Sequence, residues 1–176
     1  MGKKPINRAL FRGMAGVSLD VGCGPSKQRG CLGIDRVALP GVDIVHDIQE
    51  FPWPVPDNVC ARIIMSHVWE HVEPRYRFRL MDELWRIIRP DGQLLIACPY
   101  AGTFLAHAHP EHYLCPNEAT FQFFDPDYPL FMSGSYGLVR PWKIVRNEPN
   151  IAGCIEIILE PRKDKKGKPC LPKRPS

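Results

Sequence analysis

The chain has 176 residues, 44% of them apolar, which is the length and composition of one globular domain with a substantial core. It contains no run of about 18 apolar residues, and its N-terminus has no continuous apolar segment, so we expect neither a membrane span nor a signal peptide. The net charge of +4 conceals an acidic body, because residues 13–161 carry 12 basic and 18 acidic side chains and a net charge of −6. Such a surface argues against a nucleic-acid partner.

The basic side chains concentrate at the two ends of the chain. We therefore divide the sequence into a basic N-terminal segment (1–14), a folded domain (15–160) and a basic tail (161–176) that we expect to be disordered and solvated. Seven cysteines, an odd number without a CxxC pair, are typical of reduced thiols. They favour a cytoplasmic location over a disulfide framework.

Short apolar runs bounded by glycine, proline or polar residues predict the strands of the first half of the chain. These runs lie at residues 17–21, 31–34, 42–45, 61–65 and 93–98. Residues 51–58 contain three prolines and predict a loop before the fourth strand, because proline lacks the donor that a helix or a central strand needs.

The helices and the closing strands complete an alternating α/β pattern. Residues 75–89 predict a helix. Its apolar face consists of Leu80, Leu84, Ile87 and Ile88. A shorter helix is predicted from Pro116 to about Phe124, and strands at 138–145 and 154–160 should form an antiparallel pair. This order indicates an α/β fold with a mostly parallel sheet and a ligand site at the carboxyl ends of its strands.

A glycine loop follows the first strand in the sequence VGCGPSKQRGCLGID. Gly22 and Gly24 allow the backbone to approach a ligand closely. Only ten residues separate Gly24 from Asp35, whereas a dinucleotide-binding unit has a helix in this interval and an acidic residue about 20 residues further on. The short interval predicts that the first crossover is a loop and that the site is open on that side.

The acidic residues around this loop indicate which nucleotide it could bind. A pyrophosphate-binding loop would have a third glycine where this chain has Lys27. Asp20 is unfavourable beside a pyrophosphate but suits a ligand with an ammonium group, and Asp35 can accept both hydroxyls of a ribose. These acids favour S-adenosylmethionine over a dinucleotide. The alternative is a tight turn in an α/β core, with acids that bind no ligand.

Five blocks continue the pattern along the chain: LDVGCG, GIDR, HDI, DNVCARIIMSHVWEHV and LMDELWRIIRPDGQLLIACPY. Their order resembles class I S-adenosylmethionine-dependent methyltransferases, in particular a small subfamily similar to type 11 methyltransferases. The resemblance covers residues 15–160. It implies a Rossmann-like α/β sandwich with a mostly parallel seven-stranded sheet, an antiparallel C-terminal pair and a first crossover helix reduced to a loop. It also implies S-adenosylmethionine as the cofactor.

The resemblance further implies a cofactor site. Its residues would be Asp20, Gly22, Cys23, Gly24, Asp35, Arg36, Asp47, Ile48, Ser66 and His67. The glycine loop and the acid before it would line the methionine end, and Asp35 would hold the ribose. Asp47 and Ile48 would flank the adenine, while Ser66 and His67 would face the sulfonium and the acceptor. Asp47 could instead cap a turn, and His67 could be a packed, hydrogen-bonded histidine.

Residues 106–115 contain three histidines, a glutamate and a cysteine. Zinc could bind such side chains, but their spacing is irregular and no second pair completes a tetrahedral set, so no metal site is predicted. In the subfamily that the chain resembles, a histidine two residues after a proline lies beside the methyl donor. Here that residue is His112, a candidate acceptor-binding residue or general base, with loop pinning as the alternative. No role is assigned to His107, His109 or Cys115.

These observations lead to one main functional prediction and two alternatives. The protein should transfer a methyl group from S-adenosylmethionine to an O or N atom of a small or modest-sized acceptor, with His67 and His112 as the catalytic residues. A non-catalytic S-adenosylmethionine-binding regulatory module is the first alternative. The second is a nicotinamide-dependent oxidoreductase, against which the missing third glycine and the short interval already count.

Overall fold

The computed structural model describes residues 9–14, 16–131 and 140–171. Its strands are β1 (Val17–Val21), β2 (Leu32–Asp35), β3 (Ile44–Val45), β4 (Cys60–Ser66), β5 (Ile88–Pro99), β6 (Trp142–Pro149) and β7 (Cys154–Pro161). They form one sheet in the order β3-β2-β1-β4-β5-β7-β6, in which β1 to β5 are parallel and β7 is antiparallel to both of its neighbours. The predicted fold class is confirmed, including a first crossover (22–31) without a helix.

Two α-helices and three short 3₁₀ helices connect these strands. The helices are α1 (Arg77–Ile87), α2 (Phe104–Ala108) and the 3₁₀ helices Trp69–His71, Pro74–Tyr76 and Thr120–Phe124. The predicted helix at 75–89 is therefore too long at both ends. It ends at Ile87 because Ile88 is extended (φ −75°, ψ 146°) and pairs with Cys60. Pairing with β4 overrides the helical periodicity beyond Ile87. Pro90 therefore lies within β5.

Two other predicted elements also shift. The helix expected from Pro116 is a 3₁₀ helix over Thr120–Phe124 only. The strand expected at 138–145 is β6, which covers Trp142–Pro149, and Leu138 and Val139 lie outside the described residues.

Helix α1 packs its apolar face into the core beneath the sheet. Leu80, Met81, Leu84 and Ile87 are all fully buried and belong to the same hydrophobic cluster as the inward residues of β1, β4, β5 and β7. Burial of each such side chain stabilises the fold by about 1.5–3 kcal/mol relative to an exposed one. The sheet is therefore a fixed platform for the loops at its carboxyl edge.

The proline-rich loop before β4 is attached to α1 by hydrogen bonds. Trp53, which is fully buried, donates its backbone N–H to Oε1 of Glu83 over 2.6 Å. The Arg86 guanidinium donates to the carbonyl oxygen of Val55 over 2.8 Å. Charged side chains of α1 therefore satisfy a loop whose prolines prevent it from forming its own backbone ladder.

The start of the basic tail differs from the disordered segment that its composition suggests. Arg162 donates to Oδ1 of Asp125 over 2.9 Å, and Nζ of Lys163 donates to the carbonyl oxygen of Ile88 over 2.6 Å. The Lys163 ammonium also lies 4.1 Å from the ring centroid of Trp85, and burial lowers its pKa to about 8. Acceptors and an aromatic face on the domain hold these cations in place. Residues 172–176 lie outside the described residues.

A search of the described ranges finds no helix that is both long and apolar enough to cross a membrane.

Asp82 on α1 makes the stability of the fold depend on pH. Burial raises the pKa of Asp82 to about 6, although its Oδ1 accepts the Arg140 backbone N–H over 2.7 Å. The folded state therefore holds this proton more tightly than the unfolded state, whose carboxyl has the ordinary value of 3.8. The Asp82 contribution to stability therefore falls as the pH rises from about 4 to 6.

We expect Asp82→Asn to stabilise the protein by about 1 kcal/mol at pH 7 and to have little effect near pH 4, because the amide oxygen keeps the hydrogen bond without the buried charge. Urea unfolding at pH 4, 5 and 7 measures this difference. Asp91→Asn is the control, because Asp91 is exposed and its pKa is lowered by a hydrogen bond from Arg89. An Asp82→Asn gain that is the same at all three pH values would contradict the assignment.

Candidate active site

The loop between β1 and β2 is shaped by carboxylates at the ends of those strands. Oδ2 of Asp35 accepts the Gly24 N–H over 2.9 Å, and Oδ1 accepts the Val37 N–H over 3.0 Å. Oδ2 of Asp20 accepts the Gln28 N–H over 2.7 Å. Asp20 is only 5% exposed, and burial raises its pKa. Both acids therefore hold the loop in place.

The fold requires a glycine at position 22, at the start of this loop. Its φ is +65°, a backbone region that side-chain-bearing residues rarely adopt. A Cβ atom there would lie 2.4 Å from Cγ2 of Val68, in the segment after β4. The glycine allows the two loops to touch at the carboxyl edge of the sheet.

A cleft of about 680 Å³ opens where these loops meet, which is within the usual range of small-molecule sites (about 300–1,000 Å³). Seven of the residues predicted for the site line it: Gly22, Asp35, Arg36, Asp47, Ile48, His67 and His112. The other predicted residues, Asp20, Cys23, Gly24 and Ser66, lie nearby but do not line it. The fold therefore brings most of the predicted residues together at one cleft.

Asp47 and Ile48 follow β3 and are fixed by local hydrogen bonds. Oδ1 of Asp47 accepts the Gln49 N–H over 2.9 Å, and the Ile48 carbonyl oxygen accepts the indole N–H of Trp53 over 2.9 Å. The turn-capping hydrogen bond of the alternative interpretation of Asp47 is therefore present. This hydrogen bond occupies only one carboxylate oxygen of Asp47, which also lines the cleft.

His67 follows β4 directly and has an uncommon backbone conformation. Its φ is +55°, and its N–H donates to the Ala97 carbonyl oxygen of β5 over 2.7 Å. Residues other than glycine adopt this region uncommonly, and such conformations are concentrated at functional sites. The side chain is 55% exposed, so His67 is not packed into the core.

Glu70 is a residue of this site that the sequence analysis did not single out. Its Oε1 lies 3.4 Å from Nδ1 of His67, three residues earlier. The carboxylate is fully buried, and neither oxygen has a hydrogen-bond partner within the described part of the chain. A buried carboxylate without such partners is costly. The i, i+3 spacing in HVWE was the available signal, but it acquires meaning only from the burial.

The segment after α2 contributes His112 to the same cleft. Nδ1 of His112 lies 3.2 Å from the carbonyl oxygen of Ala106. A carbonyl only accepts, so Nδ1 carries the hydrogen and Nε2 carries the lone pair. His71, which sequence reasoning missed, lines the cleft beside His109 and His112.

The cleft has the chemical groups that an adenosine with a charged amino acid requires. The carboxylates of Asp35 and Asp47 can accept hydrogen bonds from ribose hydroxyls and an adenine amino group, and Ile48 offers an apolar surface to a base. Asp35 is oriented by two backbone donors before any ligand binds. The residues present therefore fit S-adenosylmethionine.

Comparisons with known proteins agree with this geometry. A family model described as a methyltransferase domain matches residues 19–96, which run from β1 into β5. No curated protein matches the chain significantly. Among solved structures, a SAM-dependent methyltransferase from Archaeoglobus fulgidus is 17% identical, with 88% of this chain and 90% of that chain covered and a TM-score of 0.58.

Two further solved structures have the same fold. A SAM-dependent methyltransferase from Aquifex aeolicus is 17% identical over 86% of this chain and 87% of that chain, with a TM-score of 0.53. The complex of DhpI with SAH is 12% identical over 89% of this chain and 82% of that chain, with a TM-score of 0.56.

The sheet order is that of the class I methyltransferase fold, and an acid-lined cleft lies at the carboxyl edge of the sheet. The chain therefore has the fold of S-adenosylmethionine-dependent methyltransferases, and its residues 19–96 match a methyltransferase domain.

We expect Asp35→Asn to weaken the binding of S-adenosylhomocysteine by about 10- to 100-fold, because the amide replaces one charged acceptor of the ribose hydroxyls by a donor. Isothermal titration calorimetry measures the affinity. NADH, titrated in the same way, should not bind.

Asp43→Asn is the matched control for this variant. Asp43 also holds the glycine-loop region, since its Oδ2 accepts the Gly33 N–H over 2.7 Å, but it does not line the cleft. An equal loss of affinity in both variants would show that Asp35 acts only through loop structure.

Proposed function

We propose that the protein transfers a methyl group from S-adenosylmethionine to an O or N atom of a small or modest-sized acceptor. The supporting observation is that one cleft is lined both by the adenosine-compatible residues Asp35 and Asp47 and by the imidazoles of His67 and His112. A hydroxyl or amine acceptor must lose a proton during methyl transfer, and imidazole is the side chain best suited to receive it near neutral pH.

The proposed cofactor contacts follow the order of the loops. Asp35 holds the ribose, and Asp47 and Ile48 contact the adenine. The loop residues Gly22, Cys23 and Gly24, together with Asp20, Arg36 and Ser66, complete the proposed site. When bound, S-adenosylmethionine supplies an electrophilic methyl group on a positively charged sulfur, so the main task of the protein is to align the acceptor with it.

His67 is the proposed general base. A hydrogen on Nδ1 would face the Glu70 carboxylate at 3.4 Å and leave the lone pair of Nε2 for the acceptor proton. The hydrogen bond from the His67 backbone to Ala97 fixes the position of the residue at the end of β4. Glu70 is then a positioning residue, because it would act on the acceptor only through the imidazole.

His112 is the proposed acceptor-binding residue. The contact between its Nδ1 and the Ala106 carbonyl oxygen orients the ring and leaves Nε2 as a hydrogen-bond acceptor. Such an acceptor can hold the hydroxyl or amine hydrogen of an incoming molecule. The proposal also includes a cytoplasmic location, which the free state of all seven cysteines supports.

We expect His67→Asn to lower kcat/KM by about 100-fold or more, because a general base contributes about 10²–10⁴-fold. Asparagine tolerates positive φ, so the substitution removes the imidazole without adding backbone strain. Formation of S-adenosylhomocysteine with panels of alcohols, phenols and amines measures the rate.

His107→Asn is the control, because His107 is exposed and does not line the cleft. Full activity of His67→Asn on the acceptor used by the unsubstituted protein would overturn the role of His67. Tight binding of the cofactor without transfer to any acceptor would identify a non-catalytic S-adenosylmethionine-binding module instead.

We expect the substitution Glu70→Gln to have opposite effects on stability and on activity. We expect a gain of about 1 kcal/mol in the free energy of unfolding, since an amide costs less to bury than a carboxylate. We also expect kcat to fall about tenfold at unchanged KM, because the amide interacts more weakly with His67. Thermal unfolding and steady-state kinetics test both effects. A purely structural Glu70 would leave kcat unaffected.

A further inference from the structure

Three imidazoles converge at the rim of the cleft, and one of them comes from a distant part of the sequence. His71, His109 and His112 each offer a nitrogen atom, and these three atoms lie within 4.8 Å of one another. The ring centroids are 5.2 Å apart for His71 and His109, 4.8 Å for His71 and His112, and 5.1 Å for His109 and His112. All three rings therefore share one small volume.

Backbone hydrogen bonds bring these side chains together. The His112 N–H donates to the His109 carbonyl oxygen over 3.2 Å, which closes a turn with Pro110 at its second position. The Tyr113 N–H donates to the Glu70 carbonyl oxygen over 2.9 Å and attaches this turn to the 3₁₀ helix that carries His71. The cluster is thus a product of the fold and not of three freely moving side chains.

The hydrogen-bond partners of the rings suit ligation. His112 donates Nδ1–H to the Ala106 carbonyl oxygen, which is the outer contact that metal-binding histidines commonly make, and Nε2 keeps its lone pair. Nδ1 of His109 accepts the Glu111 N–H over 3.2 Å at the exposed surface. This surface hydrogen bond is weak, so the Nδ1 lone pair of His109 is available to bind an ion instead.

The distances are compatible with a tetrahedral ion after a small closure. Zn–N bonds of about 2.0–2.1 Å place tetrahedral ligand nitrogens about 3.3–3.4 Å apart. His109 is exposed and His71 and His112 are half-buried, so the rings can approach without disturbing the core. Imidazole nitrogens favour zinc, copper or nickel, whereas magnesium and calcium prefer oxygen ligands.

We propose that His71, His109 and His112 form a binding site for a divalent transition metal ion, with Zn²⁺ as the ion that best matches a three-imidazole set. This revises the sequence-based expectation of no metal, which considered only residues 106–115. Those residues supply two of the ligands, and the third lies in the 3₁₀ helix Trp69–His71.

The position of the cluster gives the ion a role in the reaction, and this part rests on the proposed function. An ion held by three protein ligands keeps a coordination position for water or another small ligand. Because all three histidines line the cleft, an acceptor oxygen or nitrogen could occupy that position. With the ion bound, His112 would hold the acceptor through the ion and not by a direct hydrogen bond to Nε2. The ion would lower the affinity of the acceptor atom for its proton and orient that atom.

Zn²⁺ titration of the full-length metal-free protein, followed by calorimetry, tests the site. All proteins would carry Cys170→Ser, because this exposed thiol is an alternative zinc ligand. We expect one ion per chain, and we expect His71→Ala or His109→Ala to weaken binding by about 100-fold or more, since even outer-shell changes cost about 10–100-fold. His107→Ala, a change in an exposed histidine of the same segment outside the cluster, should leave the affinity unchanged.

Two further measurements keep the outcomes distinct. Circular dichroism without metal verifies that each variant is folded. The titration contains neither cofactor nor acceptor, so an inactive enzyme that still binds Zn²⁺ through these residues would contradict the proposed function and leave the site intact. Absence of saturable binding, or equal affinity in the His71→Ala, His109→Ala and His107→Ala variants, would overturn the metal site.

Discussion

The shortened crossover between β1 and β2 is the constraint on which the rest of the site depends. Residues 22–31 contain no helix, so their backbone N–H groups need acceptors that a helix would have supplied internally. Asp20, Asp35 and Asp43 provide such acceptors, each through a hydrogen bond from a backbone N–H in or beside the loop. Carboxylates thus replace the missing helix as the means of fixing the glycine loop against the sheet.

This arrangement couples cofactor recognition to the fold. Each carboxylate oxygen of Asp35 already accepts one backbone hydrogen, but an ionised carboxylate can accept more than two hydrogen bonds in total. The lone pairs that remain are therefore held in fixed directions, which would reduce the entropy lost if a ribose binds there as proposed. The fold requires a glycine at position 22 for two separate reasons. Its backbone is left-handed, and a side chain there would clash with Val68.

Local patterns in the sequence predicted the parallel strands and the loop-like crossover, because strands with buried faces and glycine turns are encoded over short distances. The family resemblance added the seven-stranded sheet and several of the seven predicted residues that line the cleft. Long-range contacts determined the remainder. Helix α1 ends at Ile87 because the next residue pairs with β4, and Lys163 is held by Trp85 and a β5 carbonyl oxygen. Glu70 and His71 escaped notice because their roles depend on burial and on the hydrogen bond from Tyr113, which neither spacing nor composition reveals.

The short segment after β4 concentrates the unfavourable features of the molecule. His67 has a strained backbone, and Glu70 is a buried carboxylate without hydrogen bonds to the described residues. A strained backbone and a buried polar group without a hydrogen bond each cost about 1–3 kcal/mol in typical proteins. The surrounding core tolerates both because Trp69, between them, is 1% exposed and anchors the segment against Phe121 and Arg77. The core thus sustains an uncommon backbone conformation at the edge of the cleft, and the proposed role of His67 as general base would give this conformation a purpose, because it would hold the imidazole at one fixed position.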